Sequence, residues 1–147
     1  MRKIFPIIFF IFISFCFFSC KDSVTNPSSP VSYDTSITYT DSNGVVLGGD
    51  LTDWCSHCLG TSCYSLRPVY PNPVTDSFAI NYEVGTTIPV KLFYLNSTDT
   101  VFLVNSIQSA GSYSINLSAA HYNLHNTYRK LYIQSNGFYC SGDIKFR

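Results

Sequence analysis

Charge is scarce in this chain. Only 12% of its 147 residues are Asp, Glu, Lys or Arg, and they balance to a formal net charge of zero. There is no basic block; Arg129-Lys130 is the nearest approach to one, a lone pair inside a strand-like run. Nucleic-acid binding draws its affinity from clustered Lys and Arg that neutralise phosphates, so that class of partner is excluded. Helical periodicity is missing too, because beyond the first 19 residues no stretch repeats apolar residues at three- and four-residue spacing over a helical length. Neither a Gly-x-Ser-x-Gly nucleophile turn nor a Gly-rich phosphate loop is present. The nine acidic residues are scattered without an acid–base spacing, and no catalytic residue and no cofactor are assigned. What the chain does have is 11 Tyr, 12 Phe and abundant Thr, Ser and Asn, the residues of paired strands and tight turns.

The one long apolar run is at the start. Ile4 to Ser19 is almost unbroken Ile and Phe, preceded by Arg2-Lys3 and closed by Phe17-Phe18-Ser19-Cys20. A basic start, an apolar centre and a small residue at a cut site describe a secretory signal peptide. A membrane span would need roughly 20 apolar residues, and this run is shorter, contains Pro6 and leads into Lys21-Asp22 rather than a basic stop-transfer cluster. The small residue followed by Cys resembles a bacterial lipobox. That resemblance implies cleavage before Cys20 and lipid attachment to its thiol, so the only covalent addition expected is lipid on Cys20. Loss of Arg2 and Lys3 from the nine Lys and Arg leaves seven against nine acidic residues, a mature charge of about −2. Each buried methylene contributes about 0.8 kcal/mol, and one acyl chain holds only marginally, so stable anchorage needs two or more.

The organisation beyond the leader follows from composition. Residues 1–19 are the signal peptide, and 20–34 are a Ser-, Pro- and Asn-rich tether with too little apolar surface to offset ordering. Residues 35–67 hold a hairpin and a Cys-rich loop. Ile37 and Tyr39 alternate with polar neighbours, Asp41-Ser42-Asn43-Gly44 supplies the turn, and Val45-Val46-Leu47 returns before Gly48-Gly49-Asp50. Leu51 to Leu66, with three Cys, one His and the only Trp, shows no period. Residues 68–147 then alternate regularly, with strands expected at 78–84, 90–95, 101–107, 112–117, 128–134 and 139–146, separated by Gly- and Asn-containing turns. Six strands at a spacing near ten residues predict an all-β, antiparallel sandwich.

This second half resembles the immunoglobulin-like module of type IX secretion C-terminal sorting domains and the related module of flagellar hook-capping proteins. The residues that carry the resemblance are Tyr70-Pro71-Asn72-Pro73, Phe78-Ala79-Ile80-Asn81-Tyr82, Val90-Lys91-Leu92-Phe93-Tyr94, Ala110-Gly111-Ser112-Tyr113-Ser114-Ile115 and the closing Asp143-Ile144-Lys145-Phe146-Arg147. It implies an immunoglobulin-like sandwich and a place in surface attachment. The chain departs from that pattern in lacking a large cargo before the module and a Gly before Tyr128, where Asn126-Thr127 stand instead. The module is therefore read as the exposed domain itself. Pro71 and Pro73 fix φ and lack an amide donor, so the Tyr-Pro-Asn-Pro segment is expected to be rigid punctuation ahead of the first strand.

Four Cys remain outside the signal and Cys20: Cys55, Cys58, Cys63 and Cys140. An even number in an exported chain points to two disulfides, with three possible connectivities. One choice joins Cys140 in the last strand to one of the clustered three. Trp54-Cys55-Ser56-His57-Cys58 has the spacing of a thioredoxin redox pair, but that chemistry needs a helix N-terminus and a βαβ setting. Haem attachment is excluded because Leu59 stands where the His of Cys-x-x-Cys-His belongs. Cys55, Cys58, Cys63 and either His57 or Cys140 could also form a tetrahedral zinc set, though oxidation ordinarily precedes metal in an exported chain, and no metal ligand is assigned. His121 and His125 lack the Glu of a zinc protease and fall in an Asn-rich connection. Asp50 and Asp53 are too closely spaced for a calcium loop.

Together these features predict a small outer-membrane lipoprotein, facing the periplasm or the surface. Its role would be structural, adhesive or in assembly, without enzyme activity. Its partners would be the membrane, through the anchor, and an envelope or surface protein. The alternatives are a type IX secretion sorting module, and a periplasmic redox or metal-handling protein that uses the Cys cluster.

Overall fold

Strict alternation builds the strands. In Ile88–Asn96, Val90, Leu92 and Tyr94 are buried while Pro89, Lys91 and Leu95 are exposed. Phe138, Cys140, Gly142 and Ile144 repeat the pattern in Phe138–Lys145. The computed structural model describes residues 33–59, 62–96 and 99–147, so the expected signal peptide, Cys20 and all but the last two residues of the expected tether lie outside the described residues. Ten strands run in chain order: β1 Thr38–Thr40, β2 Val46–Gly49, β3 Cys55–Leu59, β4 Ser62–Leu66, β5 Ser77–Val84, β6 Ile88–Asn96, β7 Asp99–Gln108, β8 Gly111–Ser118, β9 Tyr128–Ser135 and β10 Phe138–Lys145. They form a two-stranded β1-β2 sheet and two four-stranded antiparallel sheets, ordered β3-β4-β5-β8 and β10-β9-β6-β7. The chain changes sheet at β5 to β6, β7 to β8 and β8 to β9, the connectivity of an immunoglobulin-like sandwich. Leu66, Ile80 and Tyr82 from the first sheet meet Leu92, Leu131 and Ile133 from the second in a single core, with Tyr64 stacked on Phe138 across it at 5.4 Å.

The segment expected to be a Cys-rich loop contributes β3 and β4, so the sandwich begins before residue 68. β4 pairs Tyr64, Ser65 and Leu66 with Val84, Glu83 and Tyr82 of β5. Its own alternation is short, and Cys and Ser carry too little hydrophobic contrast to reveal a period. The predicted hairpin is present as β1-β2. The Asp41 carboxylate accepts from the amides of Asn43 (2.8 Å) and Val45 (2.9 Å), and Gly44 takes the left-handed conformation that closes the turn. The two glycines expected to end the hairpin belong to β2. Gly49, at φ +92°, is required because a side chain there would overlap the carbonyl of Ile37.

The Tyr-Pro-Asn-Pro segment does more than punctuate. Its two non-proline residues pair in opposite directions: Tyr70 bridges to Ala79 of β5, and Asn72 to Thr40 of β1. The Asn72 side chain is fully buried. Its Nδ2 donates to the carbonyls of Thr38 (2.8 Å) and Asp143 (3.0 Å), and its Oδ1 accepts from the amide of Lys145 (3.0 Å). One amide therefore joins the hairpin, the motif and the last strand. Asn72→Ala would strand two carbonyls and an amide away from water, at about 1–3 kcal/mol per buried group left unpaired. The expected loss is about 3 kcal/mol or more of unfolding free energy, read from urea denaturation. Asn72→Asp is expected to cost at least as much, because it sets an oxygen against the same two carbonyls.

Candidate functional site

Residues 53–55 run along β10 and are fastened to it by two hydrogen bonds and a disulfide. The amide of Asp143 donates to Asp53 Oδ2 (3.1 Å), and the Trp54 amide donates to the Ser141 carbonyl (3.0 Å). Cys55 is joined to Cys140, with their Cα atoms 6.1 Å apart, inside the range a disulfide spans. Trp54 is held at φ +66°. Its indole covers Gly142 so closely that any side chain there would overlap it, while Nε1 donates to Thr38 Oγ1 at 3.0 Å. That hydroxyl in turn donates to the Asp50 carbonyl. Of the three clustered cysteines, then, Cys55 is the one linked to Cys140. It is followed by a strand and not by the helix that activates a thioredoxin-type thiolate. The backbone register sets Cys58 directly opposite Cys63. His121 and His125 are exposed in the connection between β8 and β9. Among the described residues no group of three or more His, Cys, Asp or Glu converges as metal ligands.

A cleft of about 520 Å³ opens between the β1-β2 hairpin and the outer face of the first sheet. The hairpin tip at Gly44 packs on the Tyr70 ring, where a Cβ would lie 3.2 Å from Cδ1. On the sheet side are Ser65, Arg67, Asn81 and Glu83. Arg67 and Glu83 form an exposed ion pair at 2.7 Å, which adds little to stability. Asn81 Nδ2 donates to the Tyr70 hydroxyl at 3.3 Å. Burial, opposed in part by the hydrogen bond from the Asp143 amide, raises the pKa of Asp53 above the ordinary carboxylate value of 3.8, and the neighbouring Asp143 and Asp50 charges add to the rise.

The outer face of the second sheet carries a row of aromatic rings. Phe102 of β7 lies against Phe93 of β6 with centroids 5.6 Å apart, and Phe93 stacks on Tyr132 of β9 at 5.2 Å. Tyr132 then meets Tyr139 of β10 at 5.6 Å. Direct register sets the first three opposite one another, and Tyr139 joins on the diagonal. Phe102 and Tyr139 are exposed. The cleft and the row escape sequence reasoning because both are made by register between distant strands. The period-two pattern of each strand shows which residues face out, without showing which of them become neighbours.

Comparison with known protein families, curated proteins and solved structures finds no match to this chain.

Two outcomes follow from the geometry. Cys55–Cys140 closes a separation of 85 residues, which removes about 4.5 kcal/mol of chain entropy from the unfolded state in the loop-closure model. Cys55→Ser combined with Cys140→Ser should lower the unfolding free energy by about 2–5 kcal/mol, measured by denaturant titration. Asp53 stays protonated to higher pH in the folded state than in the unfolded chain. Its contribution to stability is therefore full below the ordinary carboxylate pKa and is lost as pH rises through the raised value. Asp53→Asn keeps an acceptor for the Asp143 amide, so its melting temperature relative to the native chain should rise between acid and neutral pH.

Proposed function

We propose that this chain is a membrane-anchored envelope lipoprotein whose immunoglobulin-like domain has a structural, adhesive or assembly role and carries out no chemistry. The Cys55–Cys140 link supports the reading most directly. A disulfide persists in oxidising compartments and is rare in the cytosol, and this agrees with the export implied by Ile4 to Ser19 and with lipid on Cys20. Cys58 and Cys63 form the second disulfide of this reading. Directly opposed antiparallel residues have Cα atoms about 4.5–5.5 Å apart, within the disulfide range of about 4.4–6.8 Å. The aromatic row on the second sheet supplies the contact surface for an envelope or surface protein, since exposed aromatic residues concentrate binding energy.

A removable sorting module is the weaker reading. Cleavage ahead of Tyr70 would strip β4 from its ladder with β5 and leave Cys140 tied to the discarded segment. A redox role for the Trp-Cys-x-x-Cys segment would have to begin by breaking the Cys55–Cys140 link. Intact-mass spectrometry of the membrane-extracted protein, alkylated without reductant, distinguishes the three. The expected spectrum shows diacyl or triacyl mass on Cys20, Arg147 retained and no alkylated thiol. Loss of the C-terminal module would favour sorting, and alkylation of Cys58 and Cys63 would favour thiol or metal chemistry. An unmodified Cys20 behind an uncut leader would sink the anchoring claim.

A further inference from the structure

The two ends of the second sheet differ in how they are finished. The outer edge of β10 is closed. The Trp54 amide donates to the Ser141 carbonyl and the Val74 amide to the Lys145 carbonyl, while Asp53 and Asn72 side chains take up the Asp143 and Lys145 amides and the Asp143 carbonyl. The outer edge of β7 has no such cover. It is the longest strand, ten residues, and among the described residues no strand or bridge pairs with its far side. None of its residues is buried, and its core-facing Val101, Leu103 and Val104 are covered only in part. An edge strand offers a row of unpaired amides and carbonyls to any other strand, and natural edges are blunted by Lys, Pro or inward-pointing charge. β7 has a single charge, Asp99, at its start; from Thr100 to Tyr128 the sequence contains no Asp, Glu, Lys, Arg or Pro. We propose that β7 pairs antiparallel with β7 of a second copy of this chain, across a two-fold axis at Ser106.

The register comes from the faces of the strand. Beyond the bulge at Leu103, alternation is regular: Val104, Ser106 and Gln108 stand opposite Leu92, Val90 and Ile88, and Asn105 and Ile107 opposite the exposed Lys91 and Pro89. A two-fold at Ser106 sets Val104 against Gln108 of the second copy and Asn105 against its Ile107. Inner residues then meet inner ones and outer meet outer, as continuous pairing requires. A second copy is favoured over a foreign strand by the missing charge. A two-fold contact brings the same patch of both copies together, and like charges set opposite each other destabilise strand pairs, so a charge-free edge is the composition that self-pairing needs. β8, joined to β7 through Ser109-Ala110, is the outer strand of the other sheet and is equally uncharged. Both layers can therefore approach their counterparts without repulsion. The contact covers Ile107, a large apolar side chain 71% exposed on the single chain, and joins four strands from each copy into one continuous sheet. This inference is independent of how the chain is anchored and of what the aromatic row meets.

Sedimentation equilibrium of the full chain in a density-matched detergent reads the association. The mass of the native chain should double as its concentration rises through the micromolar range. Asn105→Lys combined with Ile107→Lys sets Lys against Lys across the axis and should remain monomeric over that range. Asn105→Glu combined with Ile107→Lys sets each Glu against a Lys and should restore the dimer. A native chain that stays monomeric throughout would overturn the proposal and leave the β7 edge to a strand of another protein. Dimers that persist in the double-Lys variant would overturn it too, since association through lipid or micelle ignores those side chains. Failure of the Glu/Lys variant to dimerise would rule out the antiparallel two-fold.

Discussion

The side chain of Asn72 is the contact on which the arrangement of this domain depends. A three-residue strand such as β1 cannot hold a position on a sandwich through its own ladder, and a two-stranded sheet is at best marginally stable alone. One buried amide uses both of its Nδ2 hydrogens and its oxygen on three backbone groups, in β1 and β10, and the Thr40 hydroxyl adds a buried bond from the hairpin to the Val69 carbonyl. Only Asn or Gln presents two donors and an acceptor in one plane, and the short Asn side chain places them next to its own backbone pairing with Thr40.

Further fasteners lie around that clamp. Trp54 fills the space above Gly142 and hydrogen-bonds back to Thr38, tying the end of the hairpin region to the same strand pair that Asn72 grips. Cys55–Cys140 then links the first sheet to the second near the β3 edge. The consequence for function is geometric. A hairpin held down at its base and lying over a polar sheet face leaves a cleft at its side, and the same register that closes the core on one face of the second sheet aligns four aromatic rings on the other.

Much of this is legible in the residues taken one by one. The six strands of the second half can be read from alternation such as Val90, Leu92 and Tyr94, because burial on one face imposes a period of two. The hairpin can be read from Asp41 and Gly44, whose turn chemistry is local. β3 and β4 cannot, since Cys and Ser leave the alternation without contrast. Asn72 is equally hidden: between two prolines it looks like part of a turn, and its three partners lie as far away as Lys145.

The sequence by itself determined the all-β class, the β1-β2 hairpin and the six strands of the second half, because each of these rests on local composition and periodicity. Tertiary structure alone decided that Cys55 is the partner of Cys140, that Asn72 joins β1 to β10, and that Ser65 and Asn81 share a cleft. Each of those depends on which distant strands become neighbours. Neighbour choice is set by the packing of the whole core, and no single segment encodes it.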